Sequence, residues 1–74
     1  MQSYKSVPDT YARYSIFRDA LKMSDGKVAA IAGLSRTTFG AWKRGAYSPK
    51  YDTIVKIAAV LDITPSMILE EGNR

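Results

Sequence analysis

Two short stretches of helical periodicity, one opening at Asp25 and the other ending near Gly45, are separated only by Gly33-Leu34-Ser35. A connection of about three residues leaves no room for large side chains between antiparallel helices, so it favours a steep crossing. That geometry makes demands at fixed offsets. Ala29 is small where the second helix passes closest, and Gly33 supplies a positive φ for the turn. Val28, Leu34, Phe39 and Trp42 fill the concave side. Ser24 and Ser35 stand where N-caps belong, and Asp25 suits the positive first turn that follows Ser24. The first helix of the pair is expected to turn Val28, Ile31 and Ala32 inward with Ala29 beside them. The second is expected to stop at Gly45, a left-handed C′ residue.

The same periodicity runs through the rest of the chain, without the alternation of a strand. Asp9 is the expected N-cap of a helix reaching Lys22, with Ile16, Phe17, Ala20 and Leu21 as its apolar face. After a loop at residues 45–49, Ile54, Ile57, Ala58 and Leu61 mark a helix near Lys50–Leu61 by their i, i+3, i+4, i+7 spacing. Thr64 caps a last helix and Pro65 takes its first position, where a missing N–H costs nothing. Met67, Ile68 and Leu69 are its apolar content, and Glu70, Glu71 and Gly72 end it. The expectation is an all-α, compact bundle of five short helices. Residues 1–8 read as a flexible N-terminal arm, 9–71 as one domain and 72–74 as a tail, with no linker or internal repeat.

Composition narrows the chemistry. The 74 residues include no cysteine and no histidine, which argues against disulfides, thiolate or imidazole metal sites and most nucleophilic or general-base catalysis. Asp52 suits a helix N-terminal turn, and Glu70 and Glu71 a polar helix end, better than an acid/base pair. An enzyme, a cofactor, a bound metal and a small-molecule substrate are not expected. The longest apolar stretch, Val28 to Ala32, has five residues against roughly 20 for a membrane span, and no secretory leader is visible. A cytoplasmic protein with no membrane contact is the expectation. Eleven Lys and Arg against seven Asp and Glu give a net charge of +4, which points to a polyanionic partner. The positive excess gathers at residues 33–61, where Arg36, Lys43, Arg44, Lys50 and Lys56 face only Asp52.

Residues 24–69 resemble the helix-turn-helix family of phage repressors and Cro proteins, the XRE-type regulators. The matching text is Ser24-Asp25-x-x-Val28-Ala29-x-x-Ala32-Gly33-Leu34-Ser35-x-x-x-Phe39-x-x-Trp42-x-x-Gly45, followed by Ser48-Pro49, Thr53-Ile54-x-x-Ile57-Ala58-x-x-Leu61 and Thr64-Pro65. The resemblance covers roughly two-thirds of the chain in order and spacing. It implies a lambda-repressor-like DNA-binding domain with its helix-turn-helix at helices 2 and 3. It further implies a sequence-specific transcriptional regulator, a phage- or prophage-type repressor, on double-stranded DNA. Two positions depart from the family pattern. Where members commonly carry a glutamine that braces a phosphate, this chain has Asp25, a charge that phosphate repels. Arg18 matches an arginine often paired with a glutamate of helix 3, but that partner position is Lys43, so that ion pair cannot form.

On such a recognition helix the N-terminal residues reach base edges. Arg36, Thr37, Gly40 and Ala41 are the expected base-reading positions, with Arg36 suited to a bidentate contact with guanine. Ser24, Ser35, Thr38, Lys43, Arg44, Tyr47, Ser48 and Lys50 lie where phosphates would pass, and the first-turn N–H groups after Ser24 add a second clamp. Phe39 and Trp42 read as core rather than base-stacking groups, and Tyr47 as either a backbone contact or a ring packed on its loop. Tyr4, Tyr11, Tyr14 and Tyr51 read as partly buried or surface rings, and Lys27 and Lys56 as solvated charges. A homodimer on a palindromic operator is expected, with Val60, Ile63, Met67, Ile68 and Leu69 as the contact patch. The alternative is a protein-interaction module or antitoxin-like adaptor that uses the same fold without reading DNA.

Overall fold

The computed structural model describes residues 7–69. They form five α-helices and no strand: α1 Val7–Ala20, α2 Asp25–Ala32, α3 Arg36–Lys43, α4 Tyr51–Leu61 and α5 Pro65–Leu69. The all-α expectation is met. Residues 1–6 of the expected arm and the tail at residues 72–74 lie outside the described residues, as do Glu70 and Glu71. Helix α1 begins at Val7, so Val7 and Pro8 belong to it rather than to an arm, and Asp9 lies inside the first turn instead of capping it. Pro8 is compatible with the earlier start, because proline is tolerated in a helix's first turn, where its missing N–H had no partner to lose.

The expected caps of the central pair are in place. Ser24 adopts extended backbone and its hydroxyl accepts from the Lys27 N–H at 3.1 Å. Ser35 does the same for Thr37, also at 3.1 Å. Gly33, with φ 75°, ends α2, and the Leu34 N–H donates to the Ala29 carbonyl at 2.8 Å. This reversal leaves only residues 33–35 between α2 and α3. At the start of α5 the Thr64 hydroxyl meets that of Ser66 at 3.1 Å, and the Met67 N–H donates to the Thr64 carbonyl.

The core consists of Tyr14, Val28, Ala29, Phe39, Trp42, Ile54, Ile57, Ala58, Leu61 and Ile68. Helix α1 packs on α3 and α5, α4 packs on α2 and α5, and α2 lies against α3. Three expectations about facing are overturned. Ile16 is 63% exposed and Ala20 is exposed on α1, and Leu21, just past its end, is 50% exposed, so none of the three faces inward. Helix α1 buries Tyr14 instead, with Tyr11 and Phe17 packed at the edge of the core. A tyrosine ring carries more apolar area than an isoleucine, and its burial is favourable when the hydroxyl finds a partner. Tyr14 has one, and its ring stands 4.9 Å from Trp42 and 5.5 Å from Phe39.

On α2, Ile31 is 56% exposed. At about 100° per residue, the direction shared by Val28, Ala29 and Ala32 leaves Ile31 about 110° to one side. Ile68 is fully buried, so it belongs to the monomer core and leaves the expected dimer patch. Polar ties join α1 to α3 and to α5. The buried Trp42 donates its Nε1–H to Thr10 Oγ1 at 3.0 Å, and Arg13 Nε donates to the Ile68 carbonyl at 2.7 Å.

Candidate nucleic-acid interface

Helix α3 divides cleanly by face. Phe39 and Trp42, three residues apart, are buried, whereas Arg36, Thr37 and Lys43 are exposed and Thr38, Gly40 and Ala41 are half-buried. Arg44, the C-cap residue, is exposed, and its guanidinium lies back over the helix. A Cβ built on Gly40 would stand only 3.6 Å from Arg44 Nη1. The structure therefore brings the expected base-reading positions Arg36, Thr37, Gly40 and Ala41 onto one side of one helix, with Arg44 over its far end. Gly45, at φ 80°, releases the chain into a loop on which Tyr47, Ser48 and Lys50 are all exposed. Ser24 and Ser35 are exposed at their helix starts, each with its hydroxyl oxygen already accepting a backbone N–H.

From residue 26 to residue 51 the chain carries Lys27, Arg36, Lys43, Arg44 and Lys50 and no acidic residue. The neighbouring acid, Asp25 at the start of α2, is not a bare charge. Its Oδ1 accepts from Tyr14 Oη at 2.6 Å and from Arg18 Nη1 at 2.8 Å, and its Oδ2 accepts from Tyr11 Oη at 2.7 Å. Arg18 Nη1 also donates to the Tyr11 hydroxyl at 3.0 Å, while its other nitrogens bind Asp19. The guanidinium sits over the faces of both tyrosine rings, 5.6 Å from Tyr14 and 6.0 Å from Tyr11. Partial burial alone would raise the Asp25 pKa. The hydrogen bonds from Tyr14, Tyr11 and Arg18, with the charge of Arg18, outweigh it and hold the carboxyl below its ordinary value. For Tyr14, burial and its bond to Asp25 both push the phenol well above its ordinary value.

This cluster corrects the reading of both departures from the family pattern. Asp25 meets Arg18 rather than standing as an unpaired charge, and Arg18, without a glutamate at Lys43, has its ion pair on α2. The three α1 residues that hold the start of α2 were missed as a group. Their spacing, Tyr11-x-x-Tyr14-x-x-x-Arg18, is i, i+3, i+7 and marks one face of a helix.

Comparison with known proteins agrees with this architecture. The family model HTH_3, described as helix-turn-helix, matches residues 16–68, more than half of the sequence. The chain belongs to this helix-turn-helix family. Among solved structures, it is similar to the restriction-modification controller protein C.AhdI from Aeromonas hydrophila, with 29% identity and a TM-score of 0.81 over 88% of this chain and 98% of that one. It is also similar to an HTH_3 family transcriptional regulator from Vibrio cholerae, with 25% identity and a TM-score of 0.77. That match covers 86% of this chain but only 36% of the longer Vibrio protein. A hypothetical transcription factor, NHTF from Neisseria, shares the fold at 24% identity, with a TM-score of 0.79 over 93% of this chain and 80% of that one. No curated protein matches the sequence. No helix among the described residues is long and apolar enough to cross a membrane.

Proposed function

We propose that this chain is a sequence-specific, double-stranded-DNA-binding transcription regulator that inserts α3 into the major groove. The observation that carries the reading is the outer side of α3. Exposed Arg36 and Thr37 lead the helix, exposed Lys43 and Arg44 end it, and the buried Phe39 and Trp42 fix its roll. In this pose Arg36 makes the bidentate contact to a guanine, Thr37 and Ala41 press methyl groups on thymine, and Gly40 lets the helix approach closely. Ser24, Ser35, Thr38, Lys43, Arg44, Tyr47, Ser48 and Lys50 bind phosphates and set the register.

The motif series supports a repressor of the phage or prophage type. The likeness in fold to C.AhdI supports a regulator of the controller kind as well. Two copies would bind half-sites about one helical turn, roughly 34 Å, apart. The dimer contact, without the buried Ile68, would use Val60, Ile63, Met67 and Leu69. Selection of bound sequences from a random duplex pool tests the whole reading. The expected product is a palindromic site, and Arg36→Ala should lower affinity for it about 5-fold or more while relaxing preference at one base in each half-site. Recovery of no preferred sequence would overturn the proposal in favour of a protein-interaction module, and a site without two-fold symmetry would remove the dimer.

A further inference from the structure

Gly26, the second residue of α2, lies directly under the side chain of Arg36. A Cβ at position 26 would stand 3.0 Å from Arg36 Cδ and 3.7 Å from both Cγ and Nη1. Carbon atoms in ordinary contact are about 3.5–4.0 Å apart, so the stem of Arg36 occupies space that any residue with a Cβ would claim. Gly26 is in regular helix and its φ is not positive, so the backbone there does not require glycine. What the missing side chain provides is a slot.

The two ends of that slot are fixed independently. The start of α2 is capped by Ser24 and tied to α1 through Asp25, which takes hydrogen bonds from Tyr11, Tyr14 and Arg18. The start of α3 is capped by Ser35, the residue before Arg36. Between two held helix ends, a stem seated on Gly26 favours one direction of the exposed Arg36 side chain before it meets a ligand. Preorganisation of this kind raises affinity by lowering the ordering cost at binding. We infer that Gly26 is a positioning residue for the Arg36 guanidinium: its lack of a side chain creates the groove that aims Arg36 at its base. The inference rests on the assignment of Arg36 as the base-reading arginine.

The test separates this role from a structural one, because alanine at position 26 should not weaken the fold. The three nearest atoms all belong to an exposed side chain that can shift by a few tenths of an ångström, and alanine is a better helix former than glycine. Binding to the duplex recovered by the wild-type chain from the random pool is measured for wild type, G26A, R36A and the double variant, with thermal unfolding of each. The expected result is a melting temperature for G26A at or above that of wild type, with affinity reduced about 5-fold or more. G26A should relax preference at the same base as R36A, and should cost less than about 2-fold when added to R36A. If G26A leaves affinity unchanged while R36A lowers it, the inference falls and the reading of Arg36 stands. An equal loss from G26A in both backgrounds also overturns it, since the added methyl would then act on the DNA directly. If R36A itself has no effect, both the inference and the assignment of Arg36 fail.

Discussion

Asp25 sits at the N-terminus of α2, where the helix dipole favours an anion, and it accepts three hydrogen bonds from α1. Removing its charge would leave the Tyr14 hydroxyl and the Arg18 guanidinium competing for a weaker acceptor in a half-buried site. Asp25→Asn is therefore expected to cost about 1–3 kcal/mol at neutral pH. The pH dependence follows from the depressed carboxyl. A group whose pKa is lower in the folded chain contributes stability that is complete above its unfolded value and is lost as pH falls through the folded one. The unfolded value is near 3.8, so the Asp25 contribution is present at neutral pH and declines as pH falls below about 4 toward the lower folded value. Urea unfolding at pH 7 and at steps below pH 4 should show the gap between wild type and Asp25→Asn narrowing toward acid. A gap of the same size at pH 7 and at pH 2 would mean that the charge of Asp25 is not what holds α1 to α2. The spacing of Tyr11, Tyr14 and Arg18 was readable, but its meaning depends on Asp25 arriving from another helix, a long-range contact that periodicity within α1 does not encode.

Helices α1 to α4 all end in the same way. In each, the residue in left-handed conformation donates its N–H three residues back and the following residue donates five back, the pattern of a Schellman stop. The left-handed residues are Lys22, Gly33, Gly45 and Asp62, with φ of 58°, 75°, 80° and 59°. The next residues are Met23, Leu34, Ala46 and Ile63, and their N–H groups reach the carbonyls of Arg18, Ala29, Ala41 and Ala58. Met23, Leu34 and Ile63 also pack on the core, which is the apolar contact that accompanies this stop. Gly33 and Gly45 were legible because glycine advertises a positive φ. Lys22 and Asp62 were not, since side-chain type there runs against the conformation and only the apolar residue that follows hints at the stop. This asymmetry has measurable consequences. A residue with a Cβ in this region costs about 1–2 kcal/mol, less for aspartate because its short polar side chain can bond locally. Lys22→Gly should relieve about 1 kcal/mol and raise the melting temperature by about 4–8 °C, whereas Gly33→Ala should lower it by a similar amount or more. Circular dichroism melts of the two variants decide the matter, and a Lys22→Gly melt no higher than wild type would show that the strain at this stop is already relieved locally.

At the level of the whole molecule, apart from the Asp25–Arg18 pair, the residues that pack the core differ from those that carry the cationic side. The side chains that close the core are uncharged, and the cations between residues 26 and 51 lie outside it. The general architecture was legible for that reason: the apolar spacing, the serine caps and the glycine stops all act locally and agree with one another. The facing of α1 was not, because tyrosines looked polar until a carboxylate from α2 satisfied them. Separation of core from charge also lets binding electrostatics be altered without disturbing the fold. Affinity for DNA should fall with salt, with a log–log slope of about −0.9 for each phosphate neutralised. If Lys43 and Arg44 each hold one phosphate, Lys43→Gln and Arg44→Gln should each make that slope shallower by about 0.9 while base preference stays as in wild type. Arg36→Ala should do the reverse, altering base preference more than slope. Fluorescence anisotropy on the selected duplex across a potassium chloride series measures both. A slope near zero in wild type would indicate that the cationic side of α3 does not meet phosphate. A slope unchanged by Lys43→Gln or Arg44→Gln would move the phosphate contacts to the loop at Ser48 and Lys50.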